Sequence, residues 1–217
     1  MTIHEPVPLL LASQSPARLA LLRQAGVEPS VQVSGVDEDA ALEEARATYG
    51  ELAPEDVALV LARAKAEAVA RDCEEQCLVV GCDSVLQLGS EVHGKPADAA
   101  EAITRWQAMR GRSGTLHTGH WLVDVRDAEE GGTGATLGAT ASTLVHFAAL
   151  DDAEIEAYVA TGEPLRVAGA FTLDGLGAPF VERIEGDPSC VVGLSLPLLR
   201  ELLGELGLSW ANVQDKN

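Results

Sequence analysis

The chain has 217 residues, 47% hydrophobic and 23% charged, the balance of a soluble globular protein with enough length for a real core. That composition excludes a wholly disordered chain. Thirty-four acidic residues against 15 basic ones leave a net charge of −19, which repels nucleic-acid polymers and anionic membranes yet admits a small anion where cations are concentrated.

Val7 to Ala12 is a short apolar run between Pro6 and Ser13 and is expected to be a buried strand. Ser15-Pro16 then opens a helix, with Ser15 as cap and Pro16 at its first position; Leu19, Leu21 and Leu22 supply its apolar face and Gly26 ends it. Ser30 to Ser34 alternates like a half-buried strand, and Gly35 to Asp39 is read as an acidic loop. Pro54 to Arg71 predicts a longer helix, with Val57, Leu61, Ala64 and Ala68 at helical spacing. Leu78 to Cys82 predicts a buried strand that ends at Asp83-Ser84, and Val85 to Val92 a hairpin turning at Gly89-Ser90. After the Gly94-Lys95-Pro96 loop, Asp98 caps a helix running to about Met109 and closed by Gly111.

Thr115 to Val125 and Ala139 to Ala148 alternate and are expected to be long antiparallel strands, joined by a polar surface excursion over Asp127 to Gly138. Asp151 and Glu154 form a capping box opening a helix to Ala160, with Gly162 as its stop. Gly169 to Ile184 is expected to hold two short strands around Asp174-Gly175-Leu176-Gly177, and Leu196 to Leu206 the last amphipathic helix. There is no internal repeat and no linker. This order predicts an α/β fold: a mixed sheet with flanking helices, two lobes around a cleft, and one domain over residues 1–217.

No apolar run approaches the roughly 18–20 residues of a membrane helix. Met1 to Pro6 lacks the pattern of an export signal, so a cytoplasmic location is expected. Cys73, Cys77, Cys82 and Cys190 are then reduced thiols, and their spacing is not that of a zinc site.

Four segments carry candidate chemistry. In Ser13-Gln14-Ser15-Pro16-Ala17-Arg18, a strand leads into a helix N-terminus, where free N–H groups, two hydroxyls and Arg18 would suit an anion; the segment alone favours the plainer reading, Ser15 as a cap and Arg18 as a surface residue. Asp83 at a strand end could hold a divalent metal or take a proton from water, or only brace its own turn. Lys65 and Lys95 are two of only three lysines, the third being Lys216; in a chain that otherwise writes its cations as arginine, a compact ammonium suggests phosphate. The glycines of Thr161-Gly162-Glu163-Pro164, Ala168-Gly169-Ala170-Phe171 and Asp174 to Gly177 permit close approach to a ligand, or merely punctuate loops.

Taken in order, these segments resemble the Maf nucleotide pyrophosphatases, which are structurally akin to the inosine triphosphatase group. The resemblance runs from Leu10 to about Leu206. It rests on L-A-S-x-S-P-x-R, G-V-D-E, L-A-x-x-K-A, G-x-D-S-V, G-K-P, G-E-P, A-G-A-F, G-L-G and V-V-G-L-x-L-P. It implies hydrolysis of nucleoside triphosphates to monophosphate and diphosphate with a divalent metal, magnesium or manganese. It places the phosphate loop on Ser13 and Arg18, the acidic position on Glu38, the helix lysine on Lys65, the catalytic carboxylate on Asp83 and the second lysine on Lys95. Glu38 is then expected to share the metal with Asp83. The chain departs from the pattern at Ala17, where a second arginine is usual, at Val167 and Gly114, and at Asp174, where the family has a glutamine; Asp174 would face the nucleobase and set its choice, or else cap the Gly175-Leu176-Gly177 turn or bind metal. The expected partner is a free nucleotide, and a homodimer is compatible with the resemblance. The rival reading is a non-catalytic regulator of division that binds nucleotide or a partner without turnover.

Overall fold

The computed structural model describes residues 6–215, so Lys216 and all but Pro6 of the segment screened for an export signal lie outside it. Among the described residues, seven strands and seven α-helices form the regular structure. They are β1 (Leu9–Ala12), α1 (Pro16–Gln24), β2 (Ser30–Val31), α2 (Glu38–Tyr49), α3 (Pro54–Arg71), β3 (Leu78–Leu88), β4 (Glu91–His93) and α4 (Ala99–Met109), then β5 (Ser113–Asp124), β6 (Thr136–Phe147), α5 (Asp152–Ala160), β7 (Val181–Glu185), α6 (Pro188–Val192) and α7 (Leu196–Glu205). The strands form one mixed sheet in the order β2-β1-β3-β5-β6-β7, with β4 added to β3. β1 lies parallel to β2 and β3; the other pairings are antiparallel.

The mixed α/β architecture agrees with the sequence, and so do the local stop and start signals. The Ser15 side chain caps α1, Asp98 caps α4, and Asp151 with Glu154 forms the reciprocal capping box of α5. Four expectations need correction. β3 does not end at Asp83-Ser84 but runs straight through them, because β5 pairs with it from Leu78 to Gln87 and satisfies that edge throughout. Glu38 is not in a loop: Asp37 accepts a hydrogen bond from the Ala40 N–H and caps α2, whose first turn holds Glu38 and Asp39 at the positive end of the helix dipole. The Ser30–Ser34 strand shrinks to two exposed residues, since only Leu10 and Leu11 of β1 pair with it. Gly169 to Ile184 holds one strand, β7, because its first half follows a left-handed pair, Gly169 and Ala170, and turns back as a loop.

The other edge of β3 decides where a ligand can enter. β1 pairs with Leu78 to Gly81 and stops; β4 begins only at Leu86. From Cys82 to Val85 that edge has no strand beside it. The apolar residues of β3 divide at the same place. Leu78, Val80 and Cys82 pack with Leu22 of α1 and Leu199 of α7, whereas Leu86 and Leu88 pack with Trp106, Phe147 and Tyr158.

Val79, Gly81, Asp83 and Val85 share the face that α3 covers. Val79 packs with Ala66 and Val69, and Val85 with Val57, Ala58 and Leu61. The stripe of α3 on the sheet is therefore Ala58, Ala62, Ala66 and Val69; Ala64 and Ala68, which share the helical spacing, are only half-buried. Two glycines permit this contact. A Cβ on Gly81 would lie 2.3 Å from the Ala62 carbonyl oxygen, and one on Gly119 would lie 2.3 Å from that of Ala58. Small residues on both surfaces let the helix backbone rest on the sheet.

Candidate active site

Lys65 sits one residue before Ala66 on the sheet-facing side of α3, and Asp83 sits two residues after Gly81 on the face below it. The close helix brings the Lys65 ammonium to 2.5 Å from Asp83 Oδ1 and 2.8 Å from Glu38 Oε1. Three segments far apart in sequence thus converge at the open edge of β3. The Lys65 and Asp83 side chains are 13% and 14% exposed, and Glu38 is 51% exposed, so the cluster is buried on one side and reachable from the other. Burial pushes the Asp83 carboxyl above the ordinary carboxylate range, while the charges of Lys65 and Arg18 pull it back.

Arg18 is buried rather than on the surface, and it lies by Ser84, on the opposite face of β3 from Asp83. Its Nε donates to the Gly193 carbonyl at 2.6 Å; Nη1 donates to Ser13 Oγ at 3.1 Å and the Cys82 carbonyl at 2.9 Å; Nη2 donates to Ser84 Oγ at 3.2 Å. Its hydrogen-bond partners are all neutral and it makes no ion pair among the described residues, so the guanidinium lends its positive charge to the β1 end of the site. Ser84 Oγ lies 2.9 Å from Thr118 Oγ1, which donates to the Cys190 carbonyl. Ser13 Oγ accepts from the Ser15 N–H and from Arg18, which leaves its own proton free to donate outward. The V-V-G-L-x-L-P segment gains a meaning here: Gly193, at φ +120°, turns its carbonyl onto Arg18, and a Cβ there would lie 3.2 Å from Arg18 Nε.

Lys95 is exposed and makes no hydrogen bond or ion pair among the described residues. The loop that carries it is nevertheless clamped on both sides. The Gly94 carbonyl accepts from Arg105 Nη1 at 2.6 Å and from the Gly169 N–H at 3.0 Å, and Glu101 Oε2 accepts from the Ala97 N–H at 2.8 Å. β4 is antiparallel to β3 with His93 opposite Leu86, so the chain leaves β4 heading back along β3 toward Asp83. Asp174 is exposed on the Thr172–Gly177 loop, with no bonded partner among the described residues. Lys65, Asp83 and Glu38 are therefore in direct contact and Ser13 and Arg18 with each other, while Lys95 and Asp174 stand on separate loops.

Sequence reasoning missed Gly119, Arg105 and Glu163, which hold these parts in place. Gly119 sat inside an alternating strand where a small residue carried no local signal. Arg105, 5% exposed, carried no motif, and Glu163 stood in the G-E-P segment without a role of its own. His120 is also buried; its Nδ1 faces the Thr118 carbonyl and its Nε2 accepts from the Ser195 N–H, and burial lowers its pKa to about 4, so it stays neutral. Among the described residues there is no group of three or more His, Cys, Asp or Glu able to hold a metal. The pair Glu38 and Asp83 remains, two hard oxygen donors already gathered by one cation.

The sequence profile described as "Maf: Maf-like protein" matches residues 8–206. A Salinispora tropica protein named nucleoside triphosphate pyrophosphatase is 58% identical over 94% of this chain and 85% of its own length. A Streptomyces coelicolor protein of the same name is 55% identical over 95% and 96%. One from Thermosynechococcus vestitus is 50% identical over 97% of this chain and 99% of its own. Those matches cover every segment just described, from the strand that leads into Ser13 to the turn that seats Arg18, and the chain belongs to the Maf family.

Proposed function

We propose that this chain hydrolyses nucleoside triphosphates to nucleoside monophosphate and diphosphate. The observation that carries the reading is the Lys65 ammonium held between Asp83 and Glu38 where β3 has an open edge. The names of the relatives support it.

A triphosphate brings about four negative charges, and its loose transition state asks for positioning and charge stabilisation. Lys65 has three donor protons, two of them directed at carboxylates, so one remains for a phosphate oxygen. The Ser13 hydroxyl and the N-terminus of α1 face the same anion, with Arg18 adding its field from below. Lys95 reaches a further phosphate oxygen from its clamped loop. Asp83 orients the attacking water and accepts its proton; the water oxygen bonds to phosphorus, the bridging P–O bond breaks, and the electron pair leaves on the diphosphate.

The donor set fits a divalent ion such as magnesium or manganese. Such an ion takes one or two carboxylates plus substrate phosphates, and Glu38 and Asp83 are that pair. When bound, it would neutralise phosphate charge. At the other end, Asp174 faces the base. An ionised aspartate only accepts hydrogen bonds, so it favours guanine or the amino group of cytosine and repels the carbonyls of uracil. The protein acts on free nucleotides in the cytoplasm, and a homodimer is compatible with this reading.

Diphosphate release from the common NTPs and dNTPs, with magnesium or manganese, tests the reading. Release above the metal-only background is expected. Nucleotide binding without any release would favour the non-catalytic regulator.

A further inference from the structure

Glu163 follows Gly162, the residue that stops α5, and its carboxylate accepts four hydrogen bonds. Oε1 accepts from Tyr158 Oη at 3.0 Å, Thr172 Oγ1 at 2.6 Å and the Gly177 N–H at 3.0 Å; Oε2 accepts from the Leu176 N–H at 3.0 Å. Two of these donors are backbone groups of the loop that presents Asp174. The glycines of that loop leave room for the carboxylate and for one of its donors. A Cβ on Gly175 would lie 2.5 Å from Glu163 Oε2, and one on Gly177 would lie 2.4 Å from Tyr158 Oη. The loop's entry is pinned as well: the buried Trp106 indole donates to the Ala170 carbonyl at 2.7 Å, and Ala170 holds φ +60°, a left-handed value that a non-glycine residue keeps only under surrounding constraint. Asp174 is left exposed between two fixed points.

We propose that Glu163 is a positioning residue for nucleobase selection: it ties the G-E-P turn to the G-L-G loop and so fixes where Asp174 stands. This rests on the reading of Asp174 given above. Only a carboxylate suits the place. Four donors converge on it, and an ionised carboxylate is acceptor-only with about four lone-pair sites. A glutamine would present its NH₂ to one of those donors. Partial burial disfavours the Glu163 charge, but the bonds from Thr172, Leu176, Tyr158 and Gly177 outweigh it and hold the carboxyl below the ordinary glutamate range.

The test uses Glu163→Gln and Tyr158→Phe, each measured on a panel of NTPs and dNTPs by steady-state kinetics. Equilibrium binding of the same nucleotides is measured in parallel, in an Asp83→Asn background. Losing a hydrogen bond to a charged group predicts that KM for the preferred nucleotide rises about tenfold in Glu163→Gln, more than kcat falls. The ratio between preferred and disfavoured bases shrinks with it, in kinetics and in binding alike. Tyr158→Phe, which keeps its ring in the core, shrinks the ratio less but in the same direction. A folded Glu163→Gln protein with the wild-type ratio, or with an equal loss on every base, overturns the proposal. If Glu163→Gln does not fold, a wild-type ratio in Tyr158→Phe overturns it. A wild-type protein without turnover, whose base-dependent binding is still flattened by Glu163→Gln, defeats the hydrolase reading and leaves the Glu163 proposal standing. A wild-type protein with turnover but no base preference does the reverse.

Discussion

Lys65 and Asp83 meet where a helix lies directly on a sheet, whereas Asp174 stands on a loop tied down by one carboxylate. At the first place, position comes from backbone contact: Gly81 and Gly119 leave no room for a Cβ between α3 and the strands beneath it. At the second, position comes from four hydrogen bonds to Glu163. Chemistry common to every nucleotide calls for one rigid geometry, and packed backbone supplies it. In the proposed reading, discrimination among bases falls to a loop, which can change its residues without disturbing the sheet. The chain departs from the resemblance on that loop, at Asp174, and also in the phosphate segment, at Ala17, but Lys65 and Asp83 at the packed end match it.

The sharpest way to break the packed end is chemical. Asp83→Asn should lower diphosphate release by about 100- to 10,000-fold, the usual worth of a general base, with the thermal midpoint nearly unchanged because Lys65 keeps Glu38. Activity within threefold of wild type would remove Asp83 from its role. Next in size is Gly119→Ala. The added Cβ meets the Ala58 carbonyl and must lift α3, costing roughly 1–3 kcal/mol in a denaturant titration, with a fall in kcat/KM for all nucleotides as Lys65 shifts. An alanine tolerated with full stability and activity would show that the helix does not rest on this strand.

Lys65→Ala and Lys95→Ala should each weaken every nucleotide by similar factors, on the order of 10- to 100-fold in kcat/KM for a lost charge-assisted contact. A loss confined to one base would move either lysine to the other end of the site. Asp174→Gln probes that end. It should leave turnover in place but reorder the bases, with uracil nucleotides gaining; a good bidentate contact discriminates by about 1–3 kcal/mol. An unchanged ranking would show that Asp174 does not read the base.

The smallest effect is on stability in acid. The folded-state pKa of Glu163 is lowered, so its contribution is present above the ordinary glutamate value and is lost as pH falls through the folded one. Melting curves taken at falling pH should therefore show the wild type losing stability faster than Glu163→Gln in that range. Parallel curves for the two proteins would place the stabilising donors elsewhere.

Capping side chains, glycine stops and the long 3.6-residue period located α1, α3, α4 and α5 from sequence, because those signals act within one or two turns of the chain. The spaced short motifs likewise named Ser13, Arg18, Glu38, Lys65, Asp83, Lys95 and Asp174 as candidates and implied the family. Three-dimensional neighbours settled the rest. Asp83-Ser84 looked like a strand end since two polar residues interrupt an apolar run, yet β5 pairs across them and Arg18 and Thr118 satisfy the Ser84 hydroxyl. α2 gave no periodic signal because Ala45 is its one fully buried residue, and its acidic start read as a loop. For Arg18 the local sequence leaves a surface reading beside the phosphate one, because its partners at Cys82, Ser84 and Gly193 lie 64 to 175 residues away. The G-E-P motif marks Glu163, but its role shows only where the loop folds back and places four donors around it. Local conformation is written in neighbouring residues, but which sheet edge stays open and which charge is buried depends on pairings across the whole chain.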